Sequence, residues 1–330
     1  MMKGLFLLDP SSLPRIYGGD ELRDIGARVD LYAPPQSAET VAKDPSVLRE
    51  AEVLFSGWGI PRLDAALLSH APRLKAVFYG AGSLRPVVSD AFWDRGIRVS
   101  SAYGSIAVAV AEYALAWTIV CLKRFPHYAR ATREARGFTK DDALAGAFGS
   151  TVGIVSLGMV GRRFRELLRI LDVKVIAYDP FATQETAGPL GVELCGLEEL
   201  FRRADSVSVH TPWLPETENL IRGRHIRSMK PGAGLVNSSR GAVIHEAEMI
   251  EALRDRQDLQ AVLDVTHPEP PAPESPLFSL PNVILTPHMA GNMGPEVHRQ
   301  GRTMIEEFDR WSRGEPMQWE ITREKAARMA

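Results

Sequence analysis

Twice along this chain, short apolar runs alternate with amphipathic stretches, and that rhythm leaves few folds open. In the first series, Leu5–Leu8, Arg28–Tyr32, Val53–Phe55, Leu74–Phe78 and Arg98–Ser100 read as strands, with helical segments such as Leu63–Ala71 and Asp90–Arg95 between them. The second series predicts strands at Thr151–Val155, Lys174–Tyr178, Ser206–His210, Gly234–Asn237, Ala261–Val265 and Val283–Thr286. Helical patterns separate these strands at Met159–Leu171, Leu197–Arg203, Ile221–Met229 and His245–Arg254. Such alternation predicts parallel sheets covered by crossover helices. The expected class is α/β, with two doubly wound parallel-sheet domains. A near-continuous apolar pattern from Val108 to Arg130 predicts one long buried or interface helix, and Pro295–Gly314 a closing amphipathic one. His267–Pro276 holds five prolines, so it is a loop.

At 330 residues the chain exceeds one comfortable core, which also favours two domains. With 39 basic and 41 acidic residues, it lacks the basic excess that nucleic acid or an anionic membrane surface selects. Cys121 and Cys195 have no metal-type spacing, so no metal is expected, and their scarcity suits a reducing, cytoplasmic setting. The apolar run after Met1 is too short for a secretion signal and reads as a first strand. No stretch is expected to reach the length of a membrane span.

The strand at Thr151–Val155 runs into Ser156-Leu157-Gly158-Met159-Val160-Gly161 and then a helix. This is the dinucleotide-binding turn G-x-G-x-x-G with Ser156 at its first glycine. Gly158 permits close approach of a pyrophosphate, and Gly161 permits helix–strand packing. The amides of Met159 and Val160 would face the phosphates. Eighteen residues after Gly161, Asp179 ends the next strand, before Pro180. An acid there accepts from ribose hydroxyls and repels a 2′-phosphate, so NAD is expected over NADP.

Three later strands each open into one unusual polar residue: Arg240 in Ser238-Ser239-Arg240-Gly241, Glu269 in Thr266-His267-Pro268-Glu269-Pro270, and His288 in Pro287-His288-Met289-Ala290-Gly291. Each alone is an ordinary loop residue. Together they arrive at the carboxyl edge of one sheet, where ligands bind. Reduction of a 2-oxo acid places negative charge on the carbonyl oxygen as hydride arrives. A histidine can donate a proton there and reclaim it in reverse. A glutamate beside the ring favours the imidazolium, and an arginine polarises the carbonyl and grips the carboxylate.

These motifs, with Asn237-Ser238-Ser239-Arg240-Gly241, Leu263-Asp264-Val265 and Leu280-Pro281-Asn282-Val283-Ile284-Leu285-Thr286-Pro287-His288, resemble the D-isomer-specific 2-hydroxyacid dehydrogenase family across nearly the whole chain. The resemblance implies Arg240 as substrate arginine, Glu269 as histidine partner and His288 as acid/base. It places Asp264, Ser238, Ser239 and Gly291 at the cofactor, and His210, Thr211, Pro212 and Thr217 along its channel. It gives Gly80-Ala81-Gly82 as the loop whose amides hold the substrate carboxylate. It also implies a flavodoxin-like substrate domain, 1–105 with 292–330, a Rossmann NAD-binding domain, 106–291, a cleft between them, and a homodimer through the NAD-binding domains.

The chain departs from the family pattern at Met159, where arginine is common, at Ile106, where asparagine is frequent, and at Ser83-Leu84-Arg85-Pro86. His245 stands where aspartate is common and reads as an exposed helix cap. Trp58, beside Gly59, could wall a pocket and Arg85 could meet a distal acid, so the substrate is either glyoxylate- or hydroxypyruvate-like or a larger acid. Two other readings stay open: a non-catalytic dinucleotide sensor, like some corepressors, motivated by Ser156, Met159 and Ile106; and a phosphite-type oxidase. A formate-type enzyme would carry glutamine in place of Glu269.

Overall fold

The computed structural model describes residues 1–139 and 146–329. The chain divides into two compact units, Met1–Ile106 with Asn292–Ala330, and Ala107–Gly291.

In the first unit, strands β1 (Met2–Leu7), β2 (Val29–Leu31), β3 (Val53–Ser56), β4 (Ala76–Tyr79) and β5 (Arg98–Ser101) form one parallel sheet in the order β2-β1-β3-β4-β5. This is the flavodoxin-like order, with its switch between β1 and β3. Every residue of β3 and β4 is buried, as parallel strands sandwiched by helices require. Alternate side chains feed two cores. Leu5, Leu7, Leu54 and Val77 pack on one face with Leu68 and Phe92. Phe6, Phe55 and Phe78 pack on the other with Tyr17, Ile25, Met304 and Phe308. Phe55 stacks on Phe78 at 5.3 Å, and Phe308 closes edge-on at 5.5 Å from Phe78. Truncating one such buried ring costs about 3–5 kcal/mol.

The second unit holds a seven-stranded parallel sheet of β6 (Thr151–Val155), β7 (Lys174–Tyr178), β8 (Glu193–Leu194), β9 (Ser206–Val209), β10 (Gly234–Asn237), β11 (Gln260–Leu263) and β12 (Val283–Leu285). Its order is β12-β11-β10-β9-β6-β7-β8. The chain reverses direction between β6 and β9, the switch point of a dinucleotide-binding sheet. Both units are therefore doubly wound α/β, as the alternation predicts.

Several expectations are corrected. The sheet has seven strands, because the two-residue β8 was missed. The expected helix Val108–Arg130 is two helices, Tyr103–Leu122 and Phe125–Ala135, separated by Arg124 in a left-handed conformation (φ 48°). The first of these also overturns the expectation that no stretch reaches membrane-span length: it runs 20 residues with mean hydropathy 1.9. Ala107, Ala111, Ala114, Thr118 and Cys121 are buried, so one face of it packs within the protein. The helix after the glycine turn stops at Leu167 and continues as a 3-10 turn, Leu168–Ile170. The helix expected at Ile221–Met229 shrinks to Gly223–Arg227, and Leu63–Ala71 to Ala65–Ser69, capped by Asp64. The closing helix is His298–Ser312 after a 3-10 turn at Gly294–Val297. Helices Leu13–Ile16, Gly19–Gly26 and Ala38–Lys43 in the first unit had not been expected.

Candidate active site

The glycine turn leaves β6 through Ser156, whose φ is 78°. That region suits glycine and strains a side chain. Ser156 is held there by a 2.8 Å hydrogen bond between its hydroxyl and that of Thr211, and by its amide donating to the Tyr178 carbonyl. Gly161 is indispensable for packing: a Cβ there would lie 2.2 Å from the Ser156 carbonyl oxygen. A Cβ on Gly158 would meet nothing within 4 Å, so the backbone is open at the start of the helix Met159–Leu167. Asp179 accepts from the Leu157 amide at 2.7 Å and the Phe181 amide at 2.8 Å. It thereby ties the end of β7 to the turn, with lone pairs left over. Pro180 is exposed beside it.

After β9, the His210 amide donates to the Val155 carbonyl. The ring of His210 is buried against Phe164, with Nε2 3.0 Å from the Ser208 hydroxyl. Burial pushes its pKa down to about 3, so the ring is neutral. Its Nδ1 has no partner among the described residues. The Thr217 hydroxyl donates to the Pro212 carbonyl and accepts from the Leu214 amide, which shapes the loop. The Ser238 hydroxyl, at the end of β10, is buried without a partner among the described residues. Open backbone at Gly158, the anchored acid at Asp179 and the orphaned Ser238 hydroxyl and His210 nitrogen fit a dinucleotide along this edge.

The three expected polar residues follow β10, β11 and β12. His288 Nδ1 lies 2.5 Å from Glu269 Oε1, and both side chains are partly exposed. Nδ1 is thus committed to the carboxylate, and Nε2 is left for a ligand. His288 has φ 52°. Its amide donates to the Asp264 carbonyl, and the Asp264 carboxylate accepts from Met289 N (2.9 Å), Ala290 N (2.8 Å) and the Thr286 hydroxyl (2.5 Å). Tyr113, on the helix Tyr103–Leu122, meets the Thr286 hydroxyl at 2.7 Å. A buried Asp264 carrying three charge-assisted bonds is a clamp on the histidine loop. Gly291 closes the unit just beyond it.

Arg240 is fixed by its loop. Asn237 Oδ1 accepts from the Ser239 amide and hydroxyl, and its Nδ2 donates to the Arg240 carbonyl. The guanidinium donates to the Ser239 carbonyl at 2.7 Å. Desolvation lowers its pKa, and the nearby charge of Glu269 opposes the shift. A Cβ on Gly241 would sit 2.0 Å from the Thr266 carbonyl carbon. Only glycine lets the arginine turn press against the backbone that leads to Glu269. The structure therefore brings Arg240, Glu269 and His288 to one sheet edge. Sequence reasoning missed what holds them: Asn237, Thr286, Tyr113 and the close approach at Gly241. Asn237 and Gly241 lay within the quoted motif; Tyr113 gave no local signal. His245 caps the helix Glu246–Asp255 by accepting from Glu248 N, and is half-buried where exposure was expected.

Trp58, Gly59, Ala81, Gly82 and Arg85 all belong to the first unit, in loops after β3 and β4. The carbonyls of Ala81 and Gly82 accept from the Ser101 hydroxyl, and Ala81 also from the Ala102 amide. That pinning leaves the amides of Ala81, Gly82 and Ser83 as donors for an anion. Gly59 has φ 81°, with Asp9 2.5 Å from where its Cβ would be, so it serves the turn. Ile106 approaches to 3.5 Å of the Gly82 position. Arg85 is exposed.

Residues 115–290 match the model of the D-isomer specific 2-hydroxyacid dehydrogenase, NAD binding domain. The chain is 30% identical over 298 residues to a D-3-phosphoglycerate dehydrogenase of Archaeoglobus fulgidus, covering 90% of this chain and 56% of that protein. It thus spans about half the length of the phosphoglycerate dehydrogenases it matches. It is 32% identical over 268 residues to a glyoxylate reductase of Aeropyrum pernix, covering 79% of this chain and 78% of that one. The D-mandelate dehydrogenase structure from Rhodotorula graminis superposes with a TM-score of 0.78 at 26% identity, covering 98% of each chain. A phosphoglycerate oxidoreductase from Rhizobium etli shares the fold, with a TM-score of 0.83 at 22% identity, covering 98% of this chain and 99% of that one. The chain belongs to the D-isomer specific 2-hydroxyacid dehydrogenase family, and its second unit carries that family's NAD-binding domain.

Proposed function

We propose that the protein is an NAD-dependent dehydrogenase or reductase of a D-2-hydroxy/2-oxo acid, with Arg240, Glu269 and His288 carrying the chemistry. The observation behind this reading is the 2.5 Å contact between His288 Nδ1 and Glu269, which orients Nε2 outward from the edge where β10–β12 end. Bound there, the nicotinamide supplies or accepts the hydride. In reduction, His288 Nε2 donates its proton to the carbonyl oxygen, and Glu269 stabilises the imidazolium before transfer. In oxidation the same nitrogen takes the hydroxyl proton. Arg240, partly desolvated, polarises the carbonyl and forks onto the 1-carboxylate. The amides of Ala81–Ser83 are the first unit's own donors for an anion. Ser238 and His210 would offer their unpartnered polar atoms to the cofactor, and Asp179 its remaining lone pairs to the adenosine ribose.

We further propose a cytoplasmic homodimer formed through the second unit. Exposed Phe125 and Phe148, and the half-buried apolar helix Tyr103–Leu122, support this. Sedimentation at micromolar concentration tests it, and a monomer would refute it.

The function is tested by following NADH and NADPH oxidation against a panel of 2-oxo acids. Turnover with at least one acid, faster with NADH and abolished in His288→Ala, is expected. Tight NADH binding without turnover on any acid would replace the enzyme with a dinucleotide sensor. Turnover with phosphite alone would redirect the reaction class.

A further inference from the structure

The carboxyl ends of β1, β3 and β4 lie side by side in the first unit. The loop after β4 offers the amides of Ala81–Ser83, and the loop after β3 carries Trp58. After β1 comes the short helix Leu13–Ile16, whose Arg15 lays its guanidinium over the Trp58 ring, 5.2 Å from the centroid. The guanidinium makes no hydrogen bond among the described residues, so this cation–π contact leaves its five N–H donors for a ligand. Arg15 forms no ion pair among the described residues. The acids nearest along the chain are occupied: Asp20 pairs with Arg23 at 2.6 Å, and Asp9 accepts from the Ser11 amide and hydroxyl. The stack is rigidly mounted. Ile16 and Tyr17 beside it are fully buried, and Tyr17 donates to the Ser56 carbonyl at 2.8 Å. Gly57 and Gly80 admit Ile16 so closely that a Cβ on either would collide with it, at 2.3 and 2.7 Å. The Trp58 carbonyl is held by the Asp9 amide at 2.8 Å.

Taking the dehydrogenase reading above as its basis, we propose that Arg15 on Trp58 reads a second anionic group on the substrate, so that the natural substrate is a dianionic 2-hydroxy/2-oxo acid. Neighbouring strands are about 4.8 Å apart, so the loops after β1 and β4 lie about 10 Å apart. A 1-carboxylate on the Ala81–Ser83 amides therefore leaves a carboxylate or phosphate three or four bonds away within reach of a long arginine side chain. The indole fixes the fork, so little rotamer freedom is lost on binding, and a bidentate fork selects a planar or tetrahedral oxyanion over a hydroxyl or methyl.

The test compares matched 2-oxo acids with NADH: oxaloacetate and 2-oxoglutarate against pyruvate and 2-oxobutyrate, and 3-phosphohydroxypyruvate against hydroxypyruvate. Wild-type protein is expected to favour the dianionic member of at least one pair by tenfold or more in kcat/KM. Arg15→Gln should lower that ratio at least tenfold, mainly through a raised KM, and Arg15→Lys should restore part of it. The pair with the larger Arg15-dependent ratio decides between carboxylate and phosphate. Thermal unfolding of each variant confirms that the exposed substitution leaves the fold intact. A charge preference that is absent, or is the same in wild type and Arg15→Gln, overturns this inference and leaves the dehydrogenase reading standing. No turnover of any acid by wild type defeats that reading, and this inference with it.

Discussion

The carboxyl edge of the seven-stranded sheet is built in two styles. After β10–β12 the loops are over-determined: Asn237 pins the arginine turn, Asp264 and Thr286 pin the histidine turn, and Gly241 seats one loop against another. After β6, the turn is strained at Ser156 and open at Gly158. Proton transfer demands placement to a fraction of an ångström before substrate arrives. A pyrophosphate demands only open amides and room, so its turn tolerates a serine where glycine is easier. The difference separates chemistry from cofactor binding, and it can be broken at either end.

The largest effect is expected at His288. His288→Ala should reduce kcat by about 10²- to 10⁴-fold, the usual worth of a positioned acid/base. NADH affinity, measured by fluorescence titration, should change little if the two regions are independent. A comparable loss of NADH affinity would break the comparison. Gly241→Ala comes next. Its Cβ would lie 2.0 Å from the Thr266 backbone carbon, so the arginine and glutamate loops must separate. Displacement by an ångström costs about a hundredfold in rate, and overpacking about 1–3 kcal/mol of stability. Single-turnover hydride transfer and urea unfolding measure the two losses. A silent variant would mean that the loops are not seated as described.

The same contrast explains what could be read from the sequence. Strands β6, β7 and β10 announced themselves because parallel, fully covered strands are continuous apolar runs. Arg240, Glu269 and His288 were legible because each follows such a run. The two-residue β8 has no periodicity to find. The break at Arg124 falls between two apolar segments. Pro126, in the first turn of the next helix, was the one local sign of it, since proline is tolerated at a helix start and not inside. The Tyr113–Thr286–Asp264 chain joins residues 173 apart in sequence, so only the folded sheet assembles it. The contact between Arg15 and Trp58 is likewise tertiary.

His210 sits between the two styles, and its effect is smaller. Burial holds its folded pKa at about 3, against about 6.5 in an unfolded chain. Below pH 6.5 the unfolded state binds a proton that the folded state refuses. Stability is therefore full above that pH and declines as pH falls toward 3. Between pH 7 and pH 5 the expected loss is about 2 kcal/mol. Urea unfolding at both values should show it in wild type and not in His210→Gln. An equal pH dependence in both would mean that the ring is wet and the cofactor edge looser than described.

The smallest effect is expected at the strained turn itself. Ser156→Gly removes the cost of a side chain at φ 78°, about 1–2 kcal/mol. It also gives up the bond to Thr211, worth about 1 kcal/mol. That loss is cushioned, because the Thr211 hydroxyl also reaches the Val155 carbonyl at 3.4 Å. Glycine's greater freedom when unfolded takes back a further 0.5–1 kcal/mol or so. The terms nearly cancel, so apo stability should move by less than about 1 kcal/mol. NADH affinity is the sharper readout. Without a hydroxyl bridging to Thr211, the turn can relax onto the pyrophosphate, and the dissociation constant should fall a few-fold. A weaker constant would instead show that the Ser156–Thr211 bridge sets the turn for the cofactor, and that the open side of the edge is as deliberately built as the catalytic side.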